Sequence, residues 1–336
     1  MLVSGPMHQQ LDRKKSASLY VRLEHSTPLS KNTVVVNWCV GNTCNYKCSY
    51  CPDSLHRGDL KWVDLETAKK FSEKVFDHFR GQKLYFEFTG GEVSLWSGLL
   101  DLSGFLRAQG ASVGFISNGS RHLDWWEKAV RDTDQVCLSF HLEKSDPDHF
   151  LKVLELVSRQ IRTHVNVMMK PEEFDTCLKW AERFHKIPDI TLALQPLIVD
   201  FTDQLFKYTP KQLKILKKET DRLEADIRLT KPLRLFRGKM EQVFPDGRRV
   251  LRVSHDLIAA KENNWFGWDC HIGLEQIVVN FNGDVFSGWC GEGGRLGHIS
   301  DQDIRLPGKP TRCGRTMCHC NLDVMVTKVN PEFSKK

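Results

Sequence analysis

A chain of 336 residues with 40% hydrophobic content has room for one large domain, or for a core with a smaller appendage, because single cores stop growing near roughly 250–300 residues. Its 48 Lys and Arg against 42 Asp and Glu leave a net charge of +6, a basic excess too mild to indicate nucleic acid. No apolar run approaches the roughly 18–20 residues that span a bilayer, and the start M-L-V-S-G-P-M-H-Q-Q lacks a charged region followed by an apolar one; no membrane partner and a cytoplasmic location are expected.

In chain order, residues 1–30 are polar with a basic run at 13–15 and read as an N-terminal extension. Residues 31–200 then alternate short apolar runs with amphipathic stretches. T-V-V-V-N-W-C at 33–39 is β-branched and bounded by Gly41, which predicts a buried strand. Residues 63–79 carry Leu65, Ala68, Phe71, Val75 and Phe79 near helical spacing, with Asp64 as N-cap. Further strands are predicted at 83–88, 111–117, 135–141, 164–169 and 190–197, with helices near 96–109, 122–131, 147–159 and 172–186 between them. Six strands joined by helices predict an α/β fold with a parallel sheet, either doubly wound or curled into a barrel, and chemistry at the C-terminal strand ends. Residues 201–265 break this rhythm and read as a basic bridging segment, with a lysine-rich helix around 209–225. In 266–336, I-V-V-N-F-N-G-D-V-F predicts a β-hairpin turning at Asn282-Gly283.

Eleven cysteines in a reducing compartment are not expected to pair as disulfides, so clustering among them points to metal ligation. Three lie at Cys44, Cys48 and Cys51, and five at Cys270, Cys290, Cys313, Cys318 and Cys320. Cys39, Cys137 and Cys177 are scattered and read as buried structural thiols. Two separated groups point to two metal centres. Thiolate suits both zinc and iron–sulfur clusters. A structural zinc site wants four ligands, and beyond the three cysteines only Cys39 and His56 are near in sequence. Three thiols alone suit a four-iron cluster with one iron left open for a substrate.

The C-N-Y-K-C-S-Y-C loop after the first strand, with Tyr50 just before its last cysteine, resembles the signature of the radical S-adenosylmethionine (radical SAM) superfamily. F-T-G-G-E at 88–92 resembles that family's Gly-Gly-Glu motif, in register at the end of the second strand. The resemblance implies a partial (β/α)6 TIM-like barrel. It implies that Cys44, Cys48 and Cys51 hold a [4Fe-4S] cluster whose fourth iron is chelated by the amino and carboxylate groups of S-adenosylmethionine. Gly90 and Gly91 permit close backbone approach, and Glu92 supplies a carboxylate for the methionine ammonium. Tyr50 and the strand-end residues Ser117 and Asn118, then Ser139, His141 and Glu143, then Gln195 and Leu197, are further S-adenosylmethionine-binding candidates by the same resemblance, with His141 alternatively facing substrate.

The stretch from Cys270 to Cys290 resembles the SPASM or twitch extensions of this superfamily, which bind auxiliary iron–sulfur clusters around a hairpin. The spacing departs from their pattern, since Gly283 lies six residues before Cys290 where four is usual. Five thiols fully ligate one [4Fe-4S] cluster with one to spare, so one auxiliary cluster is expected, in a small C-terminal hairpin domain over 266–336. A zinc ribbon is the alternative by ligand type. Trp265, Trp268 and Trp289 accompany these cysteines and are expected to shield them.

The implied activity is reductive cleavage of S-adenosylmethionine to a 5′-deoxyadenosyl radical that abstracts a hydrogen from a substrate. A peptide or protein side chain is the first expectation and a nucleotide, nucleobase or sugar the second. The reductant implied is a carrier such as flavodoxin or ferredoxin. A non-catalytic zinc-binding interaction module is the alternative of another class. Residues 226–252 hold eight Lys and Arg against three Asp and Glu, which reads as a solvated basic face or an anion-binding patch.

Overall fold

The computed structural model describes residues 20–199, 204–226, 229–230 and 239–333. Residues 1–19 of the expected extension and 231–238 of the basic stretch lie outside the described residues. A short strand β1 (Arg22–His25) precedes the six core strands β2 (Thr33–Cys39), β3 (Lys83–Thr89), β4 (Ser112–Ser117), β5 (Gln135–Phe140), β6 (Arg162–Met169) and β7 (Ile190–Pro196). The helices between them span Leu65–His78, Leu99–Ala108, Leu123–Ala129, Pro147–Ser158 and Phe174–His185. Asp64 caps the first of these, its carboxylate accepting from the Thr67 backbone N–H at 2.9 Å.

Strands β2 to β7 lie side by side in chain order, and every neighbouring pair is parallel. This decides between the two closures open to the sequence. A doubly wound sheet reverses its strand order at a switch point and takes helices on both faces, whereas unreversed order keeps all crossover helices on one face and curls the sheet into a barrel. Valines 34 and 36, Trp38, Phe86, Phe88, Phe115, Leu138 and Val165 form the helix-packed outer layer, with Phe71, Leu102 and Phe150 from the helices. The opposite face differs from the filled interior of a closed barrel. Along β5 (Q-V-C-L-S-F) and β6 (R-T-H-V-N-V-M-M) burial alternates strictly, with apolar residues outward and mostly polar ones inward.

The C-terminal hairpin continues this sheet. Strand β8 (Met240–Val243) pairs with β9 (Arg249–Arg252), and β10 (Asp269–Cys270) follows. Strand β11 (Gln276–Val279) runs parallel to β2, with Gln276 opposite Val35 and Val279 opposite Trp38. Strands β12 (Asp284–Phe286) and β13 (Arg295–His298) extend it, giving the order β13-β12-β11-β2-β3-β4-β5-β6-β7. The edges β7 and β13 are not paired with each other, so the barrel is partial.

Short strands β14 (Thr311–Arg312) and β15 (Lys328–Val329) complete a second sheet, ordered β14-β10-β15-β1-β8-β9. It carries a core of its own, built on Leu23, Met240, Leu257, Trp265, Ile272, Val324 and Val326. Glu275, just before β11, joins the two sheets: its carboxylate meets His25 Nε2 at 3.1 Å and His271 Nδ1 at 3.2 Å, and accepts from the Thr327 N–H at 2.8 Å. Burial pushes this carboxyl up, but the two imidazoles and the amide hold it well below the ordinary carboxylate range. A depressed folded value means the contribution is complete above the unfolded carboxylate range and is lost as pH falls toward the folded value. Glu275→Gln should therefore lower stability by about 2 kcal/mol at neutral pH and flatten the acid limb of the unfolding profile. Urea unfolding at neutral and acid pH checks both parts, and an unchanged acid limb would contradict the assignment.

Candidate active site and a second cysteine group

The loop carrying Cys44, Cys48 and Cys51 leaves the C-terminal end of β2, where a parallel sheet exposes its site. Its backbone is clamped to the end of β3: the Gly91 N–H donates to Gly41 O at 2.9 Å and the Glu92 N–H to Thr43 O at 2.8 Å. A methyl group on Gly90 would lie 2.3 Å from Gly41 O, and one on Gly91 would lie 2.2 Å from Thr43 O. The two glycines thus admit the cysteine loop, a role the sequence reading had given to ligand approach. Asn42, which the motif reading passed over, fixes the far side of the loop by donating to Ser54 O at 2.9 Å and Asp59 Oδ1 at 2.7 Å.

Glu92 is 1% exposed. One carboxylate oxygen accepts from Ser94 N at 3.0 Å and Ser117 Oγ at 2.8 Å, and the other from Asn118 N at 2.6 Å. Burial raises its pKa, opposed by these donors. The Asn118 amide reaches back to Asn45 Oδ1 at 2.9 Å and to Cys44 Sγ at 3.9 Å, and Tyr46 N donates to the same sulfur at 3.3 Å. Gly90, Gly91, Glu92, Ser117, Asn118 and Cys44 are therefore one connected unit.

A second unit holds the other half of the loop. Glu143 accepts from Ser49 N at 3.1 Å and Ser49 Oγ at 2.7 Å, and from Lys170 Nζ at 3.1 Å. Partial burial pushes its carboxyl up, but Ser49 and Lys170 hold it down at about 2. Burial pushes the Tyr50 phenol up and drives the His141 imidazole down to about 4, and the Tyr50 hydroxyl and His141 Nδ1 share a hydrogen bond of 2.8 Å. Ser139 and Gln195 lie on the inner barrel face in register with Asn166 and Met168. Leu197 is buried, its N–H donating to Tyr208 OH at 2.8 Å. Hydrogen bonds do not tie these three to either unit.

The inner face is a polar wall that the sequence reading missed. Asn37 donates to Glu87 at 2.8 Å, Tyr85 OH to the same carboxylate at 3.2 Å, and Arg162 to Gln135 at 3.0 Å, while Gln135 also bonds Tyr85. Above them His164 meets Thr191 at 2.8 Å and Asn166 at 3.0 Å, and the Asn166 amide donates to Cys137 Sγ at 3.2 Å. The signal was present as a mostly polar set at every second position of β5 and β6, Gln135 and Ser139 in one and Arg162, His164 and Asn166 in the other.

At the other cysteine group, Cys270, Cys290, Cys313 and Cys318 line one small cavity together with Trp265, Ile272, Glu292, Arg315, Asp323 and Lys328. Cys320 is not on it and instead precedes the short helix Asn321–Val324. Trp265 shields the cavity as expected, but Trp289 is 40% exposed and turns its indole N–H to Asn37 Oδ1 at 3.3 Å. Among the described residues, no three His, Cys, Asp or Glu side chains are gathered closely enough to hold a single metal ion. The donors are soft thiols, and burial pushes Cys51 up to about 11 and Cys48 and Cys290 up to about 12, so loading a metal centre must displace their protons. By donor chemistry and by N–H bonds to sulfur, both groups fit iron–sulfur clusters.

Residues 38–194 match the family model described as the Radical SAM superfamily, and the chain carries a radical SAM domain. Enzymes of that superfamily use a [4Fe-4S] cluster and S-adenosylmethionine. No curated protein matches the chain significantly. Among solved structures, anSMEcpe with bound AdoMet and the Cp18Cys peptide is similar at 16% identity and a TM-score of 0.50, over 80% of this chain and 78% of that one. SuiB from Streptococcus suis bound to S-adenosylmethionine is similar at 14% identity and a TM-score of 0.51, over 90% and 71%. SuiB bound to its precursor peptide SuiA gives 12% identity and a TM-score of 0.52, over 90% and 68%. At these identities the likeness is one of fold. No helix among the described residues is long and apolar enough to cross a membrane.

Proposed function

We propose that this radical SAM enzyme cleaves S-adenosylmethionine reductively at the Cys44, Cys48 and Cys51 loop and abstracts a hydrogen atom from a peptide or protein side chain. The observation that carries the reading is the placement of those three thiols at the end of β2, clamped to Gly90-Gly91-Glu92 beside the open inner face of the barrel. When bound, the cluster and S-adenosylmethionine supply a 5′-deoxyadenosyl radical, at the expense of one electron from a carrier such as flavodoxin or ferredoxin. The chain holds and orients. Three donors occupy Glu92, and a carboxylate with about four lone-pair positions keeps one for a ligand ammonium. Glu143 and Lys170 fix the loop between Cys48 and Cys51. Cys270, Cys290, Cys313 and Cys318 hold one auxiliary cluster, with Cys320 left over.

The peptide assignment is supported by the peptide-bound structures of the two similar folds. A second reading, a nucleotide, nucleobase or sugar, is favoured by the polar wall of Asn37, Glu87, Gln135, Arg162, His164 and Asn166. Anaerobic purification should yield about eight irons per chain, as two four-iron clusters require, and dithionite with S-adenosylmethionine should release 5′-deoxyadenosine. Zinc in place of iron would overturn the enzyme reading. Deuterated peptide pools should then label 5′-deoxyadenosine, whereas label arriving only from deuterated nucleoside and sugar pools would move the assignment to the second reading.

A further inference from the structure

We infer that Lys328 is the built-in counter-charge of the C-terminal cluster and raises its reduction potential, an inference that rests on Cys270, Cys290, Cys313 and Cys318 being the ligands. Lys328 is 1% exposed and lines the same cavity as those four thiols. Its Nζ donates to three backbone carbonyls, Asp323 O at 2.6 Å, Val324 O at 3.1 Å and Val326 O at 2.7 Å. A neutral amine has only two N–H groups and cannot serve three acceptors, so the geometry assigns the ammonium. The Trp265 ring lies 4.5 Å from Nζ and adds a cation–π contact.

A buried ammonium is costly unless an anion faces it. The two carboxylates on the cavity are committed elsewhere. Asp323 accepts from Gln276 at 2.7 Å, Trp289 N at 3.1 Å and Cys290 N at 2.6 Å, and Glu292 pairs with Arg315 at 2.9 Å and accepts from Gly314 N at 3.1 Å. Among the described residues no carboxylate is within ion-pair distance of Lys328 Nζ. Asp323 is held by neutral donors and keeps its charge on the cavity without touching Nζ, and a cluster held by four thiolates is a further anion that faces the ammonium. Net charge around a cluster sets its potential, and each added electron makes the centre more negative, so a fixed cation favours the reduced form.

The test uses the full chain with Cys44, Cys48 and Cys51 replaced by alanine, so that only the C-terminal cluster gives a signal, and compares Lys328→Gln and Lys328→Arg by redox titration followed by electron paramagnetic resonance. The parent and both variants should retain about four irons. The Gln variant should fall at least tenfold in its reduction equilibrium, about 59 mV for a one-electron couple, while the Arg variant, which keeps the charge, stays near the parent. An iron-loaded Gln variant at the parent's potential overturns the inference. A parent without iron shows instead that the ligand reading has failed, and the inference falls with it. Should the Gln variant not fold, Lys328→Met, which keeps the length of the side chain and removes its charge, is titrated in its place, and an iron-loaded Met variant at the parent's potential overturns the inference.

Discussion

Replacing any one of Cys44, Cys48 or Cys51 with alanine drops 5′-deoxyadenosine formation to background while leaving roughly half of the iron, about four of eight, in the protein. The two thiol groups sit on different parts of the fold, one on the loop after β2 and one between β10, the hairpin and residues 313–318, and they share no side chain. Loss of one centre should therefore not empty the other. The converse variant, Cys270→Ala, should lose the C-terminal iron and still cleave S-adenosylmethionine. Iron analysis and chromatography of 5′-deoxyadenosine check both, and cleavage that survives in Cys48→Ala would remove the assignment of the first loop.

Gly91→Ala is expected to be among the most damaging single-methyl changes at the described residues. Its new carbon would sit 2.2 Å from Thr43 O, 2.6 Å from Thr43 C and 2.9 Å from Asn42 C, all backbone atoms that cannot swing aside. Overpacking of this kind costs about 1–3 kcal/mol, and a rigid obstacle places the cost at the upper end. Relief comes only by pushing Thr43 outward, which moves Cys44, its neighbour, and breaks the 2.8 Å bond from Glu92 N to Thr43 O. Thermal unfolding should shift downward by several degrees, and reconstituted iron should fall toward half. A variant with native stability and full iron would show that the loop has room the geometry denies it.

Much of the barrel was legible because its signals are short-range. Apolar runs of six to eight residues, most of them β-branched or aromatic, predicted β2 to β7 to within a few positions, and Asp64 announced the first core helix by its cap. Two features were not legible in that way. Strand order, which separates a barrel from a doubly wound sheet, is a property of pairing between segments and leaves no mark within any one of them. The hairpin after Cys270 was recognised from Asn282-Gly283, but its parallel pairing with β2, some 240 residues earlier in the chain, was not. The strand β1 inside the expected N-terminal extension escaped notice because four residues against a polar background carry too little periodicity.

The candidate site divides along the same line. Three thiols within eight residues, an in-register Gly-Gly-Glu and a second set of cysteines are facts of spacing, and the sequence by itself determined that this chain carries metal-cluster chemistry on a parallel α/β scaffold. Only the tertiary structure decided that Gly90 and Gly91 make room for the cysteine loop, that Glu143 grips Ser49 rather than standing free, and that four of the five later cysteines share a cavity with a buried lysine while Cys320 does not. The physical reason is the separation involved. Ligand spacing on one loop is fixed by local chain geometry, whereas contacts such as Ser49 with Glu143, or Cys270 with Lys328, depend on how distant strands register and where the sheet curves.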